Sequence, residues 1–157
     1  MSPHPASNPV NSPPVEGGEF LLRRCWSEPG EYYATNKYPR FACLLPNSED
    51  TDGISLYREG LIDAESLLGK ARTEKVRRFG GVIALLAHWF TDFKFTIKPS
   101  VGDQDGHVSI VEMNFAEYKS RKRELQQIAD ALLRMAVDAG YTRKAIRPIP
   151  DDYKSQN

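Results

Sequence analysis

The chain has 157 residues, with 21 basic and 21 acidic side chains; 40% of its residues are hydrophobic and 27% charged. That is enough chain to bury a real core in one domain and too little for two domains once flexible tails are set aside. Zero net charge disfavours a general polyanion binder, so nucleic acid is not the favoured partner, and no run approaches the roughly 20 apolar residues of a membrane helix.

Residues 1–17 hold Pro3, Pro5, Pro9, Pro13 and Pro14 among Ser2, Ser7, Asn8, Asn11 and Ser12. Little there can be buried to offset the entropy of ordering, so a disordered tail is predicted. The segment has no basic stretch followed by an apolar one, so it does not read as a secretion signal and a cytoplasmic location is expected. A single globular domain is predicted over residues 18–145, with a flexible tail over 146–157.

Phe20 to Trp26 is a short apolar-rich segment ended by the turn signal Glu28-Pro29-Gly30, and reads as the first strand. A polar loop carrying Tyr32, Tyr33 and Tyr38 follows, up to Arg40. Phe41 to Leu45 is an uninterrupted apolar run stopped by Pro46, which predicts a second, buried strand. Ile54 to Arg58 alternates apolar with polar except at Tyr57 and predicts a third. Asp63 stands where a helix N-cap belongs, ahead of Leu67, Leu68, Ala71 and Val76.

Gly80-Gly81 ends that helix, and Val82 to Ala87 reads equally as strand or buried helix. Phe93, Phe95 and Ile97 alternate with Lys94, Thr96 and Lys98, a half-buried strand closed by Pro99. After the turn Gly102–Gly106, His107 to Val111 predicts a further strand. Asn114 can cap a helix, with Glu117 in the position of a capping-box partner. Leu125, Ile128, Ala129, Leu132, Leu133 and Ala136 recur at helical spacing until Gly140. Strands and helices do not alternate regularly. The predicted fold is therefore α+β, an antiparallel or mixed sheet of about five strands packed by a long C-terminal helix and one shorter helix.

Cys25 and Cys43 both lie in apolar segments. Two adjacent strands could bring them together as a disulfide, but in a reducing compartment two buried thiols are the expected state.

In Leu22-Arg23-Arg24, Asp52-Gly53-Ile54-Ser55 and Gly106-His107-Val108-Ser109-Ile110-Val111-Glu112-Met113-Asn114, the chain resembles a group of short uncharacterised bacterial proteins. These begin with an arginine-bearing strand, carry a small leucine-serine strand and end with a His-x-x-Ile strand running into a helix. The resemblance spans about residues 20 to 135. The present chain has Ile54 where the group has leucine, and Val111 where it has proline. No activity is implied by this resemblance.

The order Arg24 (or Arg23), Ser55, Glu112 is similar to that of ADP-ribosyltransferase-like enzymes of the arginine-serine-glutamate class. The resemblance implies an arginine on a dinucleotide phosphate, a serine orienting the nicotinamide side, and a glutamate bonding ribose and stabilising developing cationic charge. The Ser-Thr-Ser run and Glu-x-Glu loop of that class are missing here. His107 is a second catalytic candidate, as a general acid-base oriented by Asp103 or Asp105.

Asp103-x-Asp105-Gly106 opens like a calcium loop, but Ser109, Ile110 and Asn114 occupy the later ligand positions, so an EF-hand is rejected. Cys25, Cys43, His88 and His107 are zinc-ligand types without the short Cys-x-x-Cys pair, and no metal is predicted. No Walker loop, dinucleotide glycine fingerprint or nucleophile elbow is present, and no cofactor is predicted. The basic clusters Lys75-Arg77-Arg78 and Lys119-Arg121-Lys122-Arg123 each adjoin a glutamate and read as solvated helix faces.

With no catalytic motif above background, the leading expectation is a non-catalytic protein-interaction module. Its contact surface would be Trp26, Tyr32, Tyr33 and Tyr38 with the neighbouring sheet edge, since tyrosine and tryptophan are favoured at interfaces. An accessory role in a bacterial conflict or toxin-antitoxin-type operon would suit so small a protein. The competing expectation is an enzyme acting on a nucleotide or nucleic acid.

Overall fold

The computed structural model describes residues 14–26, 41–74, 80–101 and 106–144. Residues 1–13 of the predicted N-terminal tail, the whole of the predicted C-terminal tail and the tyrosine-bearing loop lie outside these residues.

Among the described residues, one antiparallel sheet contains β1 (Phe20–Trp26), β2 (Ile54–Arg58), β3 (Gly80–Leu86), β4 (Ile97–Pro99), β5 (His107–Ile110) and β6 (Thr142–Lys144). Their order is β4-β5-β2-β1-β3-β6. The helices are α1 (Ala64–Glu74), α2 (Ala87–Asp92), α3 (Phe115–Ser120) and α4 (Lys122–Asp138). The α+β class is as predicted, with six strands rather than five.

Side chains alternate across a strand, so each central strand supplies two cores. Leu21, Cys25, Ile54, Leu56, Ile83, Leu85, Val108 and Ile110 face one side, where Leu125, Ala129, Leu132, Leu133 and Ala136 of α4 cover them. Leu22, Val82 and Ala84 face the other, beneath Leu67 and Leu68 of α1. Val15 packs against the larger core, and the His88 amide donates to the Gly17 carbonyl, so residues 15–17 of the predicted tail are tied to the domain. No helix among the described residues is long and apolar enough to cross a membrane.

The ambiguous run after Gly81 is a strand. β3 pairs with β1 along its whole length, from Phe20 opposite Leu86 to Trp26 opposite Gly80, and α2 starts at the next residue. The predicted strand over Phe41 to Leu45 is instead a 3-10 helix, Phe41–Leu44, laid across the core face of the sheet and against α4. Cys43 and Leu44 are buried here as they would be in a strand, and the Cys43 carbonyl finds its donor in the Arg23 side chain rather than in a ladder.

The alternation over Phe93 to Lys98 is also only partly a strand. The amides of Phe93 and Phe95 both donate to the Phe90 carbonyl, Lys94 between them takes φ 67°, and pairing starts at Ile97. Asn114 caps its helix as predicted, accepting from the Glu117 amide at 2.8 Å. That helix is α3 alone. Arg121, at φ −136° and ψ 49°, separates it from α4.

Candidate functional site

Two glycines set the strands that carry the site. Gly53, just before β2, has φ 118°, and a Cβ there would come within 2.1 Å of the Ile110 carbonyl oxygen. Gly106, just before β5, has φ 68°, and a Cβ there would press on Leu61 and Arg58. Only glycine adopts such backbone at low cost this close to neighbouring chain. The pair lets β2 and β5 lie side by side, with Ser55 opposite Ser109 and Tyr57 opposite His107.

In that register the side chains of Ser55, Tyr57, His107 and Ser109 share the face of the sheet opposite α4. Lys98 stands opposite Ser109 on β4, and the Ser100 amide donates to the His107 carbonyl just beyond it. α1 packs on β1, β3 and β6. The half of this face over β2, β5 and β4 therefore carries polar side chains where the other half carries Leu22, Val82 and Ala84.

The centre of this half is His107. Its Nε2 lies 2.7 Å from the Ser55 hydroxyl, and its Nδ1 lies in hydrogen-bond contact with the Ser100 hydroxyl. Hydroxyls both donate and accept, so either neutral tautomer satisfies both contacts, and an imidazolium would donate to both. The Tyr57 ring meets the imidazole edge-on at 5.4 Å, and the Arg24 guanidinium sits 5.5 Å from the Tyr57 ring centre. Ser55 is held from a second direction as well, because its carbonyl accepts from Arg23 Nη1 at 2.9 Å.

Compared with protein-family models, curated proteins and solved structures, the chain matches none. What the site can do rests on its own chemistry.

Of the predicted residues, Arg24, Ser55 and His107 come together on one face. Arg23, the alternative to Arg24, points to the core side, where its Nε donates to the Cys43 carbonyl at 2.8 Å. Glu112 lies past the far end of β5. Its two carboxylate oxygens accept from the Thr96 amide at 2.6 Å and the Thr96 hydroxyl at 2.8 Å, which ties the entry of β4 to the exit of β5. Asp103 and Asp105 lie outside the described residues, as do Tyr32, Tyr33 and Tyr38, and of Trp26 only the backbone is described. His88 belongs to α2, where its Nδ1 pairs with Asp92 at 3.2 Å.

Tyr57 and Ser100 were not singled out from the sequence. Tyr57 broke the apolar alternation of β2, which was the available signal, because Ile54, Leu56 and Arg58 are the inward residues. Arg58 is tolerated inside because Glu19 pairs with it at 2.6 Å. Ser100 follows a proline and reads as loop, and only the register of β4 against β5 brings it to His107.

Chemically, a serine hydroxyl against an imidazole nitrogen is the first half of a nucleophile-base pair. Acyl transfer also needs preorganised donors for a developing oxyanion. The Ser55 carbonyl itself is taken by the Arg23 guanidinium, and its neighbours Ile54 and Leu56 stand opposite Ile110 and Val108 in the ladder.

Proposed function

We propose that the protein is a non-catalytic protein-interaction module that holds its partner on the polar half-face over β2, β5 and β4. The observation that carries this reading is the contrast within one sheet face among the described residues: a helix covers the apolar half, and the other half carries Tyr57, His107, Lys98 and Ser100, with Arg24 at its β1 margin. Two of these are permanent cations and a third is an imidazole, so the matching partner surface is acidic and rich in acceptors. Tyr32, Tyr33, Tyr38 and Trp26, of types favoured at interfaces, belong to the same reading. A cytoplasmic accessory role in a bacterial conflict or toxin-antitoxin-type operon is consistent with this reading.

The test is capture of the partner by the full chain, with a photocrosslinking residue in place of Lys98 to identify what touches the face. The double substitution Arg24→Glu and Lys98→Glu is expected to weaken capture by about tenfold or more through charge reversal, and Lys119→Glu on α3 to leave it unchanged. Equal loss in both variants, or in neither, would remove this face from the interaction.

One observation favours a second reading, an enzyme acting on a nucleotide or nucleic acid: the Ser100–His107–Ser55 chain of hydrogen bonds. In that case the purified protein would turn over a nucleotide or a nicotinamide dinucleotide, and His107→Gln and Ser55→Ala would each abolish the turnover.

A further inference from the structure

Independently of the polar face, we propose that Cys25 and Cys43 are a redox-modification site: they close into a reversible intramolecular disulfide that staples β1 to the 3-10 helix. They are the chain's two cysteines. Both thiols are reduced in this structure and buried in the larger core, with their sulfurs 3.5 Å apart. They come from elements 18 residues apart in sequence, so local geometry alone does not account for their meeting. Arg23 makes it happen: its guanidinium binds the Cys43 carbonyl and the Ser55 carbonyl together, which holds the 3-10 helix over the strand that carries Cys25.

Closing the bond needs an approach of roughly 1.5 Å, to the usual S–S length of about 2.05 Å. The element that must give is a single 3-10 turn followed at once by Leu45 and Pro46, not a strand locked in a ladder. Burial also selects the product. A bulky thiol cannot reach either sulfur, so an oxidised cysteine here meets its internal partner first.

The oxidant is a small hydroperoxide. One thiolate attacks the peroxide oxygen, giving a sulfenic acid and, from hydrogen peroxide, hydroxide. The second thiol then attacks the sulfenic sulfur, the S–S bond forms and water leaves. In sum, two thiols and one hydrogen peroxide give one disulfide and two waters. A small dithiol reductant reverses the change by exchange when the 3-10 turn opens locally and exposes the bond. Because both sulfurs are buried, peroxide and reductant reach them only slowly, and the site behaves as a latch set by sustained exposure rather than as a rapid sensor. Once set, it encloses residues 26–42 in a covalent loop, the stretch that carries Tyr32, Tyr33 and Tyr38.

The experiment is incubation of the reduced full chain with hydrogen peroxide, followed by denaturation, maleimide labelling and intact-mass measurement. The expected product is a monomer two hydrogens lighter that takes up no maleimide, whereas the reduced chain takes up two. Its melting temperature rises by roughly 5–15 °C, as for a loop of this length, and dithiothreitol restores the starting state. Cys25→Ser and Cys43→Ser are expected to gain no thermal stability from peroxide and to end as higher sulfur oxides or intermolecular dimers. Two maleimide adducts on the wild-type chain after prolonged peroxide, in low urea as well as in buffer, would overturn the proposal. So would a wild-type product that is overoxidised or dimeric like the single-cysteine variants.

Discussion

Asp63 is an exposed carboxylate on which the start of α1 depends. Its Oδ1 accepts from the Ser66 amide at 2.7 Å, satisfying one of the amides that a helix leaves without an internal partner. That amide, with the Ser66 hydroxyl second, holds the carboxyl below its ordinary value of 3.8. A group whose folded value is depressed stabilises the fold above its unfolded value, and loses that contribution as the pH falls through the folded one. The melting-temperature gap between wild type and Asp63→Ala is therefore expected to be constant from about pH 7 to pH 5 and to narrow below about pH 4. Thermal unfolding of both proteins across that range checks it. A gap that stays constant down to pH 3 would mean that the carboxylate's charge plays no part in the cap. Arg24 and His107 could be named from the sequence as residues of interest in the same way as Asp63, by type and local setting. Their meeting with Ser100 and Tyr57 could not, because it depends on which residue stands opposite which.

At the scale of elements, the segments that were legible in the sequence are those whose periodicity and punctuation agree. β2 alternates, and α4 repeats its apolar face until Gly140, which takes φ 75° after the helix. The illegible ones satisfy burial by an irregular route. Cys43 and Leu44 of the run Phe41–Leu44 lie buried in the core next to α4, and nothing in the run's composition distinguishes that from a strand. α2 begins directly at the end of β3 with Leu86 as its N-cap and no side-chain cap, so no start signal exists. The break at Arg121 falls among charged helix formers without glycine or proline, and β6 is three polar or charged residues at a sheet edge. What holds the 3-10 helix is a side chain twenty residues away, and this makes a prediction. Arg23→Met keeps the volume but leaves the carbonyls of Cys43 and Ser55 without these donors, at a cost of about 1–3 kcal/mol. Urea unfolding should show that loss. Amide exchange should show faster opening over residues 41–45 than over β1 and β3, and uniform acceleration everywhere would count against a local tether.

The molecule as a whole is a sheet with two unequal cores. On one side α4, α2 and the 3-10 helix close over a cluster that draws on β1, β2, β3 and β5. On the other side, among the described residues, α1 covers Leu22, Val82 and Ala84, with Phe20, Tyr57 and Tyr141 at its margin. β1 and β3 contribute to both, and their seven-residue pairing is the longest in the sheet, so they form the structural centre. The free energy of local opening follows the apolar contact that must be given up, and here the two faces differ greatly. α1 can detach while the sheet and α4 stay packed, whereas removing α4 uncovers Leu21, Ile54, Leu56, Ile83 and Ile110 together. Native-state hydrogen exchange in rising denaturant is therefore expected to show two classes of amide. Those of α1 should exchange through a low-energy opening that exposes little surface and barely responds to denaturant. Those of β1, β3 and α4 should merge into one class with the global unfolding energy. Leu67→Ala should lower both classes, since its packing is lost in either opening, and Leu132→Ala should lower only the second, by about 2–5 kcal/mol, since it stays packed while α1 is open. A single merged class in the wild type would mean that α1 and α4 unfold as one cooperative unit. The polar half-face would then gain no mobility from its neighbour, and a partner docking there would meet a surface already fixed.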